Sequence, residues 1–294
     1  MLVSTEISSW RKIGSDEKAI KLLKDSGFTA YDYSMSKSLD PTLNIGFELI
    51  SSDNYIEKAK KLREYADSVG LRCNQTHGPF PTAKTGDDKY NKWATEMSKR
   101  AIEVSGILGA KICVVHPWNY YTPEQNVELY RPLVETAKKA GVKIATENMW
   151  NAVNYGTKEQ IVYSAACSSH SNFKKQMELL VELDKDVFCA CVDIGHAEMK
   201  GLDTSAVKML ETLGRYVECM HLHDVDLLHD NHQLPFNCNI DYAPVIEAYK
   251  KIGYKGDVTL ECNTFAGKLP VELLPAGAKY AAAVANYFKE KIEN

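Results

Sequence analysis

Nine side chains of metal-ligand type close short apolar runs along this chain of 294 residues. Glu147 (in TENM), Asp193 and His196 (DIGH), His221 (MHLHD), Asp230 and His232 (DNH) and Glu261 (TLEC) stand at such ends, and His77 (THGPF) and His116 (VVHPW) do the same upstream. Strand ends build one site only if they converge. A closed barrel of parallel strands brings them together, because every strand then points its C-terminal end at the same face. The placement of these residues therefore constrains fold and chemistry together.

The rest of the chain agrees with a barrel. Strand-like segments fall at 2–7, 28–34, 71–77, 111–116, 143–148, 187–193, 217–223 and 257–262, short and rich in β-branched residues as buried strands are. Helical patterns lie between them. In 53–69, Tyr55, Ile56, Ala59, Leu62, Tyr65, Ala66 and Val69 recur at spacings of three and four and form one apolar face. Asp53 suits its N-cap and Gly70 its C-terminal stop, and Pro123 fits the first turn of the helix after the fourth strand. The predicted fold is α/β, a (β/α)8 TIM barrel forming a single domain over 1–294, with its active site at the C-terminal ends of the strands. Loops at 35–52, 149–172 and 224–240 exceed what a minimal barrel needs. All three follow a strand, so all three hang over that face.

Composition narrows the partners. The net charge of -4 gives no basic nucleic-acid footprint, although a local patch can sit on an acidic protein. The N-terminal stretch lacks a basic segment followed by an apolar core, and no apolar run approaches the roughly 20 residues of a membrane span. Cys113, Cys189, Cys191, Cys219 and Cys262 lie in or beside strand-like runs, where cysteine behaves as a small hydrophobe, and no CxxC pair occurs. Reduced thiols in a cytoplasmic protein are expected.

Side chains alternate sides along a strand. In VECMHLH, His221 and His223 share a face with Cys219; in FCACVD, Asp193 shares one with Cys191; in VTLE, Glu261 shares one with Thr259. If Val192, Met220, Leu222, Val258 and Leu260 pack on the helices, the acids and histidines point into the barrel mouth. A lone histidine at a strand end is more often a hydrogen-bonded core residue, and a lone acid there is often a helix N-cap, as Asp224 suggests. Here six of the eight histidines fall at strand ends or just beyond. Buried carboxylates and imidazoles in one pocket need something to pair them. A divalent cation does so, and this donor set suits Mn, Mg, Co or Zn.

TENM, CVDIGH, MHLHD followed by DNH, and GYKGDVTLE resemble the xylose isomerase-like TIM-barrel superfamily over residues 1–290. That superfamily holds sugar isomerases, ketose 3-epimerases, inosose dehydratases and the endonuclease IV family. The resemblance implies one divalent ion held by Glu147, Asp193, His221 and Glu261, with His196 touching substrate oxygen. It also implies, in the endonuclease IV form, up to three zinc ions on those four residues together with His77, His116, His196, Asp230 and His232. Departures favour the sugar enzymes: DIGH stands where the nucleases have DTCH, TENMWNAVNYG lacks their glycine-rich stretch, and YDYSMSKSLDPT offers no DNA-penetrating arginine. Phe80 points the other way, lying where the nuclease has a DNA-contacting tyrosine. Against the epimerases, Leu227 replaces an expected arginine and LPFNCNID replaces a GxG segment.

The expected function is a metal-dependent sugar or polyol isomerase or epimerase working by proton transfer through a metal-stabilised enediolate. The alternatives are a keto-polyol dehydratase or a zinc-dependent abasic-site endonuclease. Glu147 and Glu261 are the expected proton-transfer groups and His196 orients a substrate hydroxyl. His77, His116, Trp118, Trp150 and His223 are expected to contact substrate. With no phosphate cradle in the sequence, an unphosphorylated sugar is expected. Self-association into a homo-oligomer is a further expectation from the superfamily.

Overall fold

A computed structural model describes residues 1–36 and 45–294. All eight expected strands form: β1 (Val3–Thr5), β2 (Ala30–Ser34), β3 (Arg72–His77), β4 (Ile112–Val114), β5 (Lys143–Glu147), then, after a hairpin of β6 (Asn151–Val153) and β7 (Ile161–Tyr163), β8 (Phe188–Asp193), β9 (Val217–His221) and β10 (Val258–Leu260). A curled parallel sheet runs β2-β3-β4-β5-β8-β9, and β1 pairs with β10. Single parallel bridges join these pieces at Leu222 with Leu260 and at Glu6 with Asp32. Glu261 N donates to Leu222 O at 2.9 Å, and Ile7 N donates to Asp32 O at 3.1 Å. The eight strands therefore close into a barrel, the expected TIM-barrel fold.

The alternation along the strands separates two apolar layers. Val192, Met220, Leu222, Val258 and Leu260 belong to the large outer core shared with the helices. Val114, Ala145, Cys189, Cys191 and Cys219 form a smaller cluster inside the barrel. The interior is thus filled by small side chains, with the larger residues outside. The eight cysteines are free thiols, all but Cys238 buried. No helix among the described residues is long and apolar enough to cross a membrane.

Helix boundaries follow local chemistry. Thr122 caps Pro123–Tyr130 through a reciprocal capping box with Gln125, and Pro123 takes the first turn as expected. Gly70 ends Tyr55–Val69 in the left-handed conformation at φ 70°. The expected Asp53 cap is corrected: Asn54 holds the N-cap position and no side chain caps that helix. Of the three long loops, 149–172 contains the β6–β7 hairpin and 35–52 contains the helix Ile45–Ser51. Residues 37–44, which include the KSLDPT half of YDYSMSKSLDPT, lie outside the described residues. The loop 224–240 is held by Asp224, whose carboxylate accepts from the backbone N–H groups of Val225, Cys238 and Ile240. Asp224 is therefore a loop organiser rather than a helix cap.

Candidate active site

Four strand ends meet at the mouth of the barrel. Glu147 closes β5, Asp193 closes β8, His221 closes β9, and Glu261 follows β10 directly. All four are buried, and each offers one ligand atom within 4.8 Å of the others. His221 Nδ1 lies 3.2 Å from Glu147 Oε2 and 3.3 Å from Glu261 Oε2. Neither oxygen of the buried Glu147 carboxylate has a well-formed hydrogen bond, and neither does His221 Nδ1. Buried polar atoms left this way are costly unless something else pairs them. Three carboxylates and an imidazole converging in this way are a donor set that suits a hard or borderline divalent cation, so the residues present fit such an ion.

Two further groups of donors flank this centre. On one side, His77 Nε2 and His116 Nε2 are 2.8 Å apart, so one ring N–H donates to the other. His116 Nε2 is also 3.3 Å from Glu147 Oε2, and His77 Nδ1 is 3.5 Å from Glu261 Oε1. On the other side, His196, His223, Asp230 and His232 gather within ligand range of one another. His196 Nε2 and His232 Nε2 approach the same Asp230 oxygen at 3.3 and 3.0 Å. His223 is fully buried, with Nε2 2.9 and 3.0 Å from the two Asp193 oxygens and its ring stacked on His232 at 4.0 Å. It faces Asp193 rather than open space.

Several supports were not singled out from the sequence. The Asn148 side chain accepts from Asp193 N at 2.9 Å and donates to Asp193 O at 2.8 Å, while its backbone carbonyl meets His196 Nδ1 at 2.9 Å. Asp193 in turn caps Ile194–Glu198 by accepting from His196 N at 2.7 Å. Beneath His221 lie the buried Asp32, 3.5 Å from Nε2, and Gln75, which donates to Asp32 at 3.0 Å. For Asp32 the available signal was a lone acid between two tyrosines in AYDYS; Gln75 sits in the already polar RCNQTH, where nothing sets it apart.

The charges polarise one another. Burial works against the Glu147 carboxylate, but His221 and His116 outweigh it and hold its pKa well below the usual range. Burial pushes Glu261 up to about 8, with His221 and His232 pulling against it and Glu147 adding repulsion. Burial also opposes protonation of His221, yet Glu261 and Glu147 raise it well above an ordinary imidazole. His77 moves down, through burial and then through its neighbours His116 and His221. Without an ion between them, Glu147 and Glu261 thus differ in proton affinity, one lowered and the other raised.

A cavity of about 440 Å³ opens over His77, His116 and Glu261. Its other walls include Ser8, Ser34, Ser36, Asn263 and Thr264, and among the described residues no lysine or arginine lines it. Trp150 stacks on Tyr155 at 5.8 Å and stands 6.4 Å from the His196 ring. Trp118 lies farther out, 6.4 Å from Phe80, with its indole N–H donating to Thr85 at 3.1 Å. The geometry thus draws the nine strand-end residues and His223 together, with Trp150 beside them and Trp118 at the rim.

A family model described as xylose isomerase-like TIM barrel matches residues 20–290. The chain belongs to that family. Among solved xylose isomerase-like barrels, it is similar to a D-tagatose 3-epimerase-like protein, with TM-score 0.72 and 20% identity, covering 100% of this chain and 98% of that one. It is similar to a D-psicose 3-epimerase crystallised in the presence of D-fructose, with TM-score 0.71 and 13% identity over 98% and 99% of the two chains. The IOLI protein with a bound zinc atom superposes with TM-score 0.69 and 18% identity, again over 98% and 99%. At these identities the likeness is one of fold. By sequence, an uncharacterised protein of Methanocaldococcus jannaschii is 28% identical over 198 residues, which span 63% of this chain and 62% of that protein.

Proposed function

We propose that this member of the family, acting as one domain over 1–294, is a divalent-metal-dependent isomerase or epimerase of an unphosphorylated sugar or polyol. The observation that carries the reading is the convergence of Glu147, Asp193, His221 and Glu261, with both Glu147 oxygens and His221 Nδ1 buried and without a well-formed hydrogen bond. A divalent ion (Mn, Mg, Co or Zn) held by these four would supply Lewis acidity, favouring negative charge on the oxygens beside a deprotonated carbon. Glu147, at the end of β5, removes the proton next to the carbonyl. Glu261, just after β10, returns a proton from the other side. His196, backed by Asn148 and Asp230, orients a substrate hydroxyl. His77 and His116 donate at the rim, and Trp150 shields one wall. The hydroxyl-rich cavity without cationic side chains among the described residues supports an uncharged, polyhydroxylated substrate. Dehydration of a keto-polyol begins with the same proton removal and differs in the fate of the resulting anion.

Deuterium wash-in tests the reading. Protein loaded with Mn is incubated in deuterium oxide with a panel of unphosphorylated ketoses and keto-polyols. The expected result is metal-dependent exchange at the carbon beside the carbonyl, lost on chelation. A panel that shows neither exchange nor loss of water would sink it.

A second reading, a zinc-dependent phosphodiesterase at abasic DNA, is favoured by one observation: donor groups beyond the central four, at His77, His116 and Glu147 and at His196, His223, Asp230 and His232. Metal content separates the two. One ion per chain supports the sugar enzyme, and three zinc ions with abasic-site cleavage support the nuclease.

A further inference from the structure

Beside the metal-site cavity lies a smaller recess of about 230 Å³ that the proposed chemistry does not use. Phe47, Phe80, Tyr90 and Trp93 line it together with Pro79, Pro81, Ala94 and one charged side chain, Lys84. Its parts come from three places in the fold. The segment after β3 supplies Phe80 and both prolines, the helix Asp88–Leu108 presents Tyr90 and Trp93 one turn apart, and Ile45–Ser51 presents Phe47. The rings form a connected wall: Tyr90 to Trp93 is 5.3 Å between centroids and Phe47 to Trp93 is 6.2 Å. Phe80 belongs to the walls of both cavities, and its ring meets the His116 imidazole edge-on at 5.0 Å. Phe80 is therefore the wall that the recess shares with the cavity over His77, His116 and Glu261.

Its chemistry differs from that of the pocket it adjoins. The metal pocket is walled by serine, threonine and asparagine, which hydrogen-bond a polyhydroxylated ligand. The recess offers ring faces. The Tyr90 hydroxyl is engaged, donating to Pro81 O at 2.7 Å, and the Lys84 ammonium sits 4.2 Å above the Tyr90 ring. A second sugar ring placed there would find few partners for its hydroxyls, and each unmet hydroxyl costs free energy. A flat aryl group has no hydroxyls to satisfy and would gain stacked or edge-to-face contacts. Size agrees, since a dry apolar cavity of about 150 Å³ holds a benzene ring. Trp93 is 42% exposed, so a large aromatic surface stands open to solvent unless a ligand covers it.

We propose that this recess is a subsite for a planar aromatic substituent carried by the substrate, so that the enzyme acts on an aryl-bearing sugar rather than a bare monosaccharide. The inference rests on the sugar chemistry proposed for the metal pocket. The sugar occupies the hydroxyl-lined cavity, and the aryl group passes Phe80 to lie against Trp93 and Tyr90.

Paired ligands test it. The 1-O-phenyl and 1-O-methyl ethers of fructose, tagatose and psicose, which keep the ketose carbonyl, are titrated calorimetrically into the Mn-loaded full chain. In at least one sugar series the phenyl member is expected to bind roughly tenfold more tightly than the methyl member, the scale of one good aromatic contact plus its buried area. Trp93→Ala is expected to bring that ratio to within about twofold of unity, by loss of the same contact. Tyr90→Phe, which keeps the ring, is expected to preserve it. Equal binding of every pair, no binding by any ether, or a phenyl preference that survives Trp93→Ala overturns the subsite. Deuterium exchange run alongside separates the two claims. Exchange without a phenyl preference removes the subsite and leaves the reaction standing; a Trp93-dependent preference without exchange removes the reaction.

Discussion

The imidazole of His223 fills the space that a Cβ on Gly195 would occupy, with three of its ring atoms inside contact distance of that position. The glycine of DIGH is thus a packing requirement. It lets Ile194–Glu198 pass close enough to β9 for His223 to reach Asp193.

Gly195→Ala follows from this contact. In an open helix position alanine would be favoured over glycine by ~1 kcal/mol. Here the added methyl must displace His223, and overpacking of this kind costs about 1–3 kcal/mol. Thermal unfolding should show a lower Tm for the variant, together with weaker metal binding. A raised Tm would mean that His223 moves aside freely.

Glu147→Gln and Glu261→Gln keep the shape of the site and remove the proton-transfer groups. Each should lower the exchange rate by roughly 10²–10⁴-fold, the usual contribution of a positioned acid or base. The readout is the initial rate of deuterium incorporation at saturating metal. Wild-type rates in both variants would end the assignment.

Asn148→Ala and Asp32→Asn leave the four proposed ligands in place and remove what orients them. Losing a hydrogen-bond partner that orients a metal ligand typically weakens metal binding ~10–100-fold. Competition against a chromophoric chelator measures the affinity directly. Unchanged affinity in both variants would show that strand geometry alone positions Asp193 and His221.

After chelation, stability should fall as pH rises from 7 to 10. Glu261 is raised to about 8 and His232 to about 10, the first by burial and the second by Asp230 against the cost of burial. For both groups the folded chain holds its proton more tightly than the unfolded chain. That advantage is complete below the unfolded pKa and disappears as pH passes the folded value. The lowered carboxylates, Glu147, Asp193 and Asp230, are ionised throughout this window and leave the slope alone. Added Mn should reverse the trend, because the ligands it needs are deprotonated ones. At 100 times its Kd a bound ion adds ~2.7 kcal/mol. Melting curves across this range, with and without Mn, check both signs.

Much of the barrel was legible in the chain because strands and helices leave periodic marks. The eight strand segments were visible as short β-branched runs, and the alternation in VECMHLH correctly assigned Met220 and Leu222 to the outer layer. The β6–β7 hairpin was not visible. Its strands have three residues each, and Val153, Ile161 and Tyr163 are exposed, so no buried apolar run announces it. Asp32, Gln75 and Asn148 were missed for a different reason. Each acts on a residue far away in sequence, and a polar residue inside a strand does not name its partner.

What the amino-acid order determined by itself was which residues stand at strand ends and which face they take, since a period of two is a local property of the backbone. Tertiary structure alone decided the pairing: His221 against Glu147 and Glu261, His223 against Asp193, and His196 with His232 around Asp230. Those distances depend on the register between neighbouring strands and on closure at Leu222–Leu260 and Glu6–Asp32. Sliding a strand by one residue would turn its ligand to the opposite face. Alternation therefore names the candidates, and the closed barrel sets which of them meet.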